Sequence, residues 1–355
     1  MDAPKISVLI PMYNRKHYIE DCVNSVLNQT FQDFEIIIRD NCSTDGSFEF
    51  VAKRYAKEIF EGKIKLKRSF KNLGEFGSEN HLILDATGKY VQFIHSDDLI
   101  LPDALAYLYE TAEKYNADVI HSQAFYSLSE DGVNEKLKMN VACLDRHPVA
   151  KVELMSTDPI DRFSEWIDQG TFWDVQYNLF KREFLVDNEI FIEVPGGSSL
   201  TMALWWIMLS KVFVKTPVAF YVKRDAQDSL TRTDQRMPST DKLATIIEGS
   251  IELFRKMDKL FDKVEFFKNS REIQYLIRAH CVYIYDNWHI LRKEFYKNGI
   301  TPEINKKVED AFKKYFGNDY AYLAVLFHWA HVLPFGKGLD KIVVPPPPLP
   351  PQRDS

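Results

Sequence analysis

Paired cysteines are absent from this chain. Its four cysteines, Cys22, Cys42, Cys143 and Cys281, are scattered and lack the short spacings of zinc or redox motifs. This usage favours a reducing compartment. Cys22 falls on the apolar face of a predicted helix, where packing is the ordinary role of a buried thiol.

Long apolar runs are also missing. No run approaches the roughly 20 residues that a membrane-spanning helix needs; the run at 203–209 is too short, and 320–332 is interrupted by His328 and His331. Strand-like sequence begins at Lys5, so we expect no signal peptide. The expected location is the cytoplasm, and association with the cytoplasmic face of a membrane is compatible with the sequence.

Excess positive charge is lacking, and glycine is lacking where a dinucleotide fold needs it. The net charge of −6 argues against a general nucleic-acid binder. The turn at 11–15, between the first predicted strand and helix, has no glycine, which excludes the diphosphate-cradling fingerprint of dehydrogenases. The segment Gly-Glu-Phe-Gly at 74–77 is too weak a substitute.

What the chain does have is a regular alternation of strands and helices over its first 100 residues. Strands are predicted at 6–10, 35–39, 63–67 and 90–94, and helices at 17–27, 46–56 and 78–86, with loops at 11–14 and 72–77. This alternation predicts an α/β fold with a mostly parallel central sheet covered by helices. From residue 241 the pattern becomes helical and aromatic, and the proline-rich end at 341–355 is expected to be disordered.

The strand at 90–94 ends on a short acidic turn, His95-Ser96-Asp97-Asp98. Two adjacent carboxylates at the end of a buried strand are costly unless a positive partner joins them. Mg²⁺ or Mn²⁺ is a suitable partner, because both ions take carboxylate oxygens and bind diphosphates at the same time. The alternative is that these carboxylates only cap the helix that follows Pro102.

Three strand ends should meet at one edge of the sheet, because parallel strands carry their C-terminal loops on the same side. There Tyr13 could stack on a nucleobase, and Asp40 could accept the imide N–H of uracil or thymine. The alternatives are loop packing for Tyr13 and a turn hydrogen bond for Asp40. Asp45 or Ser47 is expected to cap the next helix.

These segments resemble a known family. The pattern Ile-Ser-Val-Leu-Ile-Pro-Met-Tyr-Asn at 6–14 is followed by Ser-Val-Leu-Asn-Gln-Thr at 25–30 and Asp-Asn-Cys-Ser-Thr-Asp-Gly at 40–46. Asn-Leu-Gly at 72–74, Asn80, Gly-Lys-Tyr at 88–90 and Ser-Asp-Asp at 96–98 continue it in order. Together they resemble the family 2 inverting glycosyltransferases of the GT-A fold, densely to about residue 125 and thinly to 232.

The resemblance implies a GT-A domain at 1–232, with a nucleotide-binding half at 1–100 and an acceptor half at 101–232. A helical C-terminal region at 233–340 and the proline-rich tail follow. The implied metal, Mn²⁺ or Mg²⁺, would be held by Asp97 and Asp98. His95 stands where many members have the first Asp of a D-x-D motif, and we expect it to act beside the metal. The residues implied to hold the nucleotide sugar are Pro11, Tyr13, Asn14, Asp40, Asn72, Ser96, Asp97 and Arg224.

The resemblance breaks at the catalytic base. An acidic pair is expected near Ser198-Ser199, and an unassisted serine hydroxyl is too weak a base at neutral pH. Glu193 is our first choice for the base, Asp174 is a second, and a catalytically silent chain is the third reading. Asp98 joins Glu193 among the catalytic residues, because the metal it would hold assists the leaving group. Trp173, Trp205 and Trp206 could supply a platform for an acceptor sugar, although at most one of the adjacent pair should face the site.

The expected function is sugar transfer from a nucleotide diphosphate sugar, such as a UDP-sugar, to a hydroxyl of a glycan, a lipid-linked or a protein acceptor. The alternative, motivated by the missing acidic pair, is a non-catalytic nucleotide-sugar-binding subunit of a glycan assembly complex. No nucleic-acid partner is expected. The aromatic C-terminal helices are compatible with peripheral membrane contact or a homo-oligomer, and burial against the catalytic domain is the simpler reading.

Overall fold

The computed structural model describes residues 3–128, 139–143, 148–169, 174–191, 198–225, 255–271, 273–274 and 277. The chain divides into two compact units, Met1–Arg236 and Met237–Ser355. The strands of the first unit are β1 (Ile6–Met12), β2 (Phe34–Asp40), β3 (Ile64–Arg68), β4 (Tyr90–Phe93), β5 (Leu99–Ile100), β6 (Val119–Ser122), β7 (Ala124–Leu128), β8 (Met139–Cys143), β9 (Glu153–Leu154), β10 (Asn178–Lys181), β11 (Phe213–Thr216) and β12 (Tyr221–Arg224). Its helices are α1 (Ile19–Leu27), α2 (Ser47–Arg54), α3 (Ala56–Phe60), α4 (Gly74–Asp85), α5 (Ala104–Tyr115), α6 (Pro159–Gln169), α7 (Arg182–Asp187) and α8 (Ser198–Leu209).

Eight strands form the main sheet, in the order β3-β2-β1-β4-β10-β6-β11-β9. The strands β3, β2, β1 and β4 are parallel to one another, as the alternation of strands and helices predicts. Nearly every residue of β1, β2 and β4 is buried, which is typical of parallel strands that are covered on both faces. The sheet edge at β3 carries Lys65 and Lys67, and charged edge strands resist pairing with other chains.

The predicted sheet differs from the observed one at β10. This strand runs antiparallel between β4 and β6, so the sheet is mixed beyond β4. The segment has only four residues and begins and ends with the polar residues Asn178 and Lys181, so its pattern is weak. Asn178 is nevertheless buried, and its Oδ1 lies 2.9 Å from His121 Nδ1 on β6.

Two predicted loops are shorter than expected. Pro11 and Met12 continue β1, because both still pair with β2. Strand β4 pairs with β1 only as far as Leu9, so the missing N–H of Pro11 costs no hydrogen bond to β4. The predicted loop at 72–77 is wrong from Gly74 onward, because α4 begins at that residue. The elements that were not predicted are α3, β5, β7, β8, β9, α6, β10 and α7.

A second, four-stranded sheet lies beside the acidic turn, in the order β5-β12-β7-β8. The two-residue strand β5 directly follows the turn and pairs with β12 through Ile100 and Tyr221. This pairing places the last strand of the first unit next to Asp97 and Asp98.

The second unit is described over part of its length and is helical there. Residues 255–263 form one helix and Glu265–Lys268 another. Phe261 and Phe267 pack edge-to-face with ring centroids 5.5 Å apart. None of the helices within the described ranges of the chain is both long and apolar enough to cross a bilayer.

A buried carboxylate joins three elements at the amino end of the sheet. Glu35 on β2 accepts hydrogen bonds from Ser7 Oγ at 2.6 Å, from Thr87 N at 2.8 Å and from Thr87 Oγ1 at 2.7 Å, and it pairs with Lys65. Burial alone would raise the pKa of Glu35, but the bonds from Lys65, Ser7 and Thr87 outweigh it and lower the pKa below 4.5.

We expect Glu35→Gln to destabilise the protein by about 1–3 kcal/mol at pH 7, because buried donors lose a charged acceptor. The folded pKa is the lower one, so the wild type has this stabilisation above the unfolded pKa and loses it as pH falls through the folded pKa. Thermal unfolding should therefore show a smaller gap between wild type and variant below pH 4.5 than at pH 7. Glu49→Gln is the control, since Glu49 is exposed and its ion pair with Arg68 lies at the surface; an equal loss of stability there would contradict the prediction.

Candidate functional site

The loops after β1, β2 and β4 lie at one edge of the sheet. The register pairs Met12 at the end of β1 with Asp40 at the end of β2, and the backbone N–H of Ile94, just after β4, donates to Leu9 O at 3.0 Å. Pro11 and Tyr13 are half-buried at this edge. The structure therefore brings together the segments that carry the predicted nucleotide and metal residues.

The first two loops are joined by reciprocal hydrogen bonds. Asn14 N donates to Ser43 Oγ at 2.9 Å, Thr44 N donates to Asn14 Oδ1 at 2.8 Å, and Lys16 N donates to Asp45 Oδ2 at 3.1 Å. Asn14 has φ +52°, a left-handed conformation that Asn tolerates better than most residues. Asn14 thus fixes the shape of this edge. Asp45 accepts from Ser47 N at 2.9 Å, but the N-cap residue of α2 is Gly46 and no side chain caps the helix, so the expected cap at Asp45 or Ser47 is wrong.

Asp40 is fully buried beneath these loops. Its carboxylate accepts from Ser43 N at 3.2–3.3 Å and lies 3.2 Å from Arg68 Nε. The turn hydrogen bond that the sequence analysis offered as an alternative is therefore present. Arg68, at the end of β3, was not predicted as a site residue; it offsets the charge of Asp40.

Asn72 reaches the same edge through Asn41. Asn41 Nδ2 donates to Asn72 Oδ1 at 2.9 Å, and Leu73 N donates to Asn41 Oδ1 at 2.8 Å. Asn72 itself is exposed. Asn41 was not predicted as a site residue, although it directly follows Asp40 at the end of β2.

Within the acidic turn, Asp98 is held by the protein. Tyr221 Oη donates to Asp98 Oδ2 at 2.7 Å, and Arg224 N donates to Asp98 Oδ1 at 2.7 Å. Both donors belong to β12, so Asp98 fastens the turn to the second sheet. Burial, together with the neighbouring carboxylate of Asp97, raises the pKa of Asp98 to about 6.

Asp97 has the more open carboxylate of the two, with 15% of its side chain exposed. Arg15 Nε lies 3.3 Å from Asp97 Oδ2. Ser96, between His95 and Asp97, is buried. Within the part of the chain that the structure describes, no three His, Cys, Asp or Glu side chains are grouped so as to hold a metal by themselves.

His95 lies between two buried carboxylates. Its Nε2 is 3.9 Å from Glu79 Oε1 on α4, and its Nδ1 is 4.0 Å from Asp98 Oδ2. Glu79 was not predicted as a site residue, because a single glutamate in a helix carries no recognisable motif. The structure makes it a neighbour of the acidic turn.

Arg224 is engaged with the protein rather than left open toward the loops. Its Nε donates to Asp97 O at 3.0 Å, its Nη2 donates to Asp21 Oδ2 at 2.8 Å, and its guanidinium lies 5.4 Å from the ring centre of Tyr18. Arg224 therefore ties β12 to α1 and to the acidic turn.

The predicted catalytic and acceptor residues are described only in part. Asp174 is half-buried just before the short 3-10 helix Val175–Tyr177, and Tyr177 packs edge-on against Tyr221 with ring centroids 5.3 Å apart. Glu193 and Trp173 lie outside the described residues. Trp205 and Trp206 are both buried in the core, so neither supplies an acceptor platform. Trp206 is buried because α8 packs against β10, where the ring centroid of Trp206 is 4.8 Å from that of Phe180.

Residues 7–185, half of the chain, match the model of glycosyl transferase family 2. The cholesterol galactosyltransferase of Borreliella burgdorferi is 26% identical over 306 residues, which cover 82% of this chain and 79% of that protein. The GalNAc(5)-diNAcBac-PP-undecaprenol beta-1,3-glucosyltransferase of Campylobacter jejuni is 26% identical over 305 residues, which cover 83% of this chain and 88% of that protein.

A solved structure shares the fold over most of the chain. The crystal structure of TarS 1–349 from S. aureus in complex with UDP-GlcNAc has a TM-score of 0.63 at 16% identity, and the match covers 92% of this chain and 87% of that one. The expected fold class is confirmed. On its sequence motifs, its sheet and the match over half its length, the chain belongs to glycosyl transferase family 2 and is a glycosyltransferase.

Proposed function

We propose that the chain moves a sugar from a UDP-sugar to a hydroxyl of a glycan, lipid-linked or protein-linked acceptor, with inversion at the anomeric carbon. The observation that carries the proposal is the meeting of the loops after β1, β2 and β4 at one sheet edge, where Tyr13, Asp40 and Asp97 lie on elements joined by hydrogen bonds. The fold shared with TarS, which binds UDP-GlcNAc, supports a uridine nucleotide. The lipid-linked acceptor is supported by the undecaprenol-linked substrate in the name of the Campylobacter relative.

Asp97 is our choice for the metal ligand. Asp98 is buried, and each of its oxygens already accepts a hydrogen bond from β12, whereas Asp97 has an accessible carboxylate. One carboxylate suffices in principle, because Mg²⁺ commonly binds proteins through one or two carboxylates and completes its shell with substrate phosphates and water. Bound there, the metal would neutralise charge that develops on the departing diphosphate.

The chain's own residues then divide the remaining work. Tyr13 and the Asn41–Asn72 pair border the base, Asp40 and Arg68 hold the turn beneath it, and Asp98 and Arg224 keep Asp97 in position. Glu193 stays our prediction for the group that takes the proton of the acceptor hydroxyl, with Asp174 as the second choice.

The non-catalytic alternative is not favoured, because the relatives that align over more than 80% of the chain are named as glycosyltransferases. The test is to incubate the purified full chain with UDP-glucose, UDP-galactose or UDP-GlcNAc and Mn²⁺, and to measure UDP release. Slow release with at least one donor is the expected result. Saturable UDP binding without release from any donor would favour the binding subunit, and absence of UDP binding would refute the uridine donor.

A further inference from the structure

The carboxylate proposed to hold the metal has a cationic partner within the protein. Arg15 Nε lies 3.3 Å from Asp97 Oδ2, and the two side chains are only 10% and 15% exposed. The pair is therefore partly shielded from water, and an ion pair in such surroundings is stronger than one at an open surface.

Arg15 is directed there by the loops that form the site. Its backbone N–H donates to Ser47 Oγ at 3.0 Å, and its Nη1 donates to Asn14 O at 3.1 Å. Asn14 is the left-handed residue that closes the first loop onto the second. The guanidinium thus extends from a fixed backbone at the same sheet edge as the proposed nucleotide.

A metal ion and the Arg15 guanidinium compete for the same oxygen of Asp97. Like charges repel strongly at such distances, so a metal cannot bind Asp97 tightly while Arg15 remains beside it. A diphosphate changes this balance, because it brings several negative oxygens and a guanidinium binds phosphate well, often through two hydrogen bonds.

We propose that Arg15 is an exchangeable counter-ion: it neutralises Asp97 in the empty site and moves to the diphosphate when the donor binds. Metal and nucleotide would then bind together, and the metal alone would bind poorly. This inference rests on the proposed function, because it needs a diphosphate and a metal at Asp97.

The test is Arg15→Gln in the full chain, with two affinities measured. Mn²⁺ alone, titrated by electron paramagnetic resonance, should bind about 5- to 10-fold more tightly, because the competing cation is gone. UDP, titrated by calorimetry at saturating Mn²⁺, should bind about 10-fold more weakly, because the diphosphate loses its guanidinium. Arg15→Lys keeps a positive charge and should fall between the variant and the wild type in both affinities.

Arg54→Gln is the matched control. Arg54 also pairs with a carboxylate, Glu20 on α1, but it is 48% exposed and is placed outside the site. Both affinities should stay within twofold of the wild type. Melting curves show whether each variant is folded.

Counter-ion exchange predicts that Arg15→Gln changes the Mn²⁺ and UDP affinities in opposite directions, which distinguishes it from other roles of Arg15. If both affinities fell, Arg15 would be a structural residue and the proposal would be overturned. Weaker UDP binding with unchanged Mn²⁺ binding would also overturn it, because Arg15 would then be a simple phosphate ligand. Unchanged affinities in Arg15→Gln beside normal UDP binding by the wild type would remove this inference alone; no UDP binding by the wild type would remove the proposed function as well.

Discussion

Replacing Asp97 by Asn is expected to lower Mn²⁺-dependent UDP affinity and the rate of UDP release by roughly 100-fold or more. The amide is a weaker metal ligand than the carboxylate and carries no charge to offset the ion. The fold should survive, because Asp97 is partly exposed and its side chain forms an ion pair with the loop residue Arg15. Calorimetry with UDP, with and without Mn²⁺, and a melting curve measure these effects separately.

The neighbouring carboxylate provides a matched comparison for this prediction. In Asp98→Asn, the amide oxygen can still accept from Arg224 N, and the amide nitrogen can donate to Tyr221 Oη. We therefore expect Mn²⁺-dependent UDP affinity to remain within about fivefold of the wild type. Asp98→Ala removes both acceptors and should destabilise the first unit by about 1–3 kcal/mol.

The two asparagine variants decide which carboxylate holds the metal. Equal losses of Mn²⁺-dependent affinity would make Asp98 a ligand as well, as the sequence resemblance implies. Retention of that affinity in Asp97→Asn would rule out the metal site proposed at this turn. A loss confined to Asp97→Asn would assign Asp98 to holding the turn against β12.

The nucleotide-binding half of the fold could be predicted from the sequence because its signals are local. The strands β1, β2 and β4 are mostly apolar, and each is followed by a recognisable polar loop. Parallel pairing then places Tyr13, Asp40 and Asp97 at the same edge. That grouping of loops was inferred correctly from strand order alone.

Strands β5 and β10 could not be predicted in the same way, because they are short and pair with segments that are distant in the sequence. Strand β5 has two residues and joins β12, which lies more than 100 residues later in the chain. Strand β10 has a weak pattern and gains its stability from two neighbours that are distant in sequence. Nothing local in either segment marks a strand.

The hydrogen-bond and ion-pair partners of the site residues could not be predicted either, because they lie on segments that are distant in the sequence. The sequence shows Asp98, but not that Tyr221 and Arg224 N donate to it; it shows Asp97, but not that Arg15 lies beside it. The motif around Arg224 predicts a contact with the diphosphate. The hydrogen bond from its guanidinium to Asp21 is visible only in the structure. Charge compensation between distant segments requires a three-dimensional structure.

Gly88 shows how closely the sheet packs at the opposite edge from the site. It lies in the turn before β4, where its N–H donates to Ser7 Oγ at 2.8 Å. A Cβ on this residue would lie 2.6 Å from Ser7 N and 2.8 Å from Ile6 C, both backbone atoms of β1. Such distances are well inside van der Waals contact, and β1 is fixed on both sides by β2 and β4.

We therefore expect Gly88→Ala to destabilise the first unit by about 3 kcal/mol, at the upper end of what overpacking costs, because neither backbone can move without breaking ladder hydrogen bonds. For a unit of this size, that loss lowers the melting temperature by roughly 6–12 °C. Thermal unfolding followed by circular dichroism is the measurement, and we expect UDP to raise the melting temperature of the wild type and of a variant that still binds it.

Gly62→Ala separates this steric effect from backbone strain. Gly62 has φ +78°, but a Cβ there would meet no atom within 4 Å, so the substitution carries only the cost of a left-handed alanine, about 1 kcal/mol. If Gly88→Ala were no more destabilising than Gly62→Ala, β1 and the turn before β4 could not be packed as closely as described. A markedly larger loss at Gly88 would show that close contact between backbones, rather than conformational freedom, requires glycine at this position.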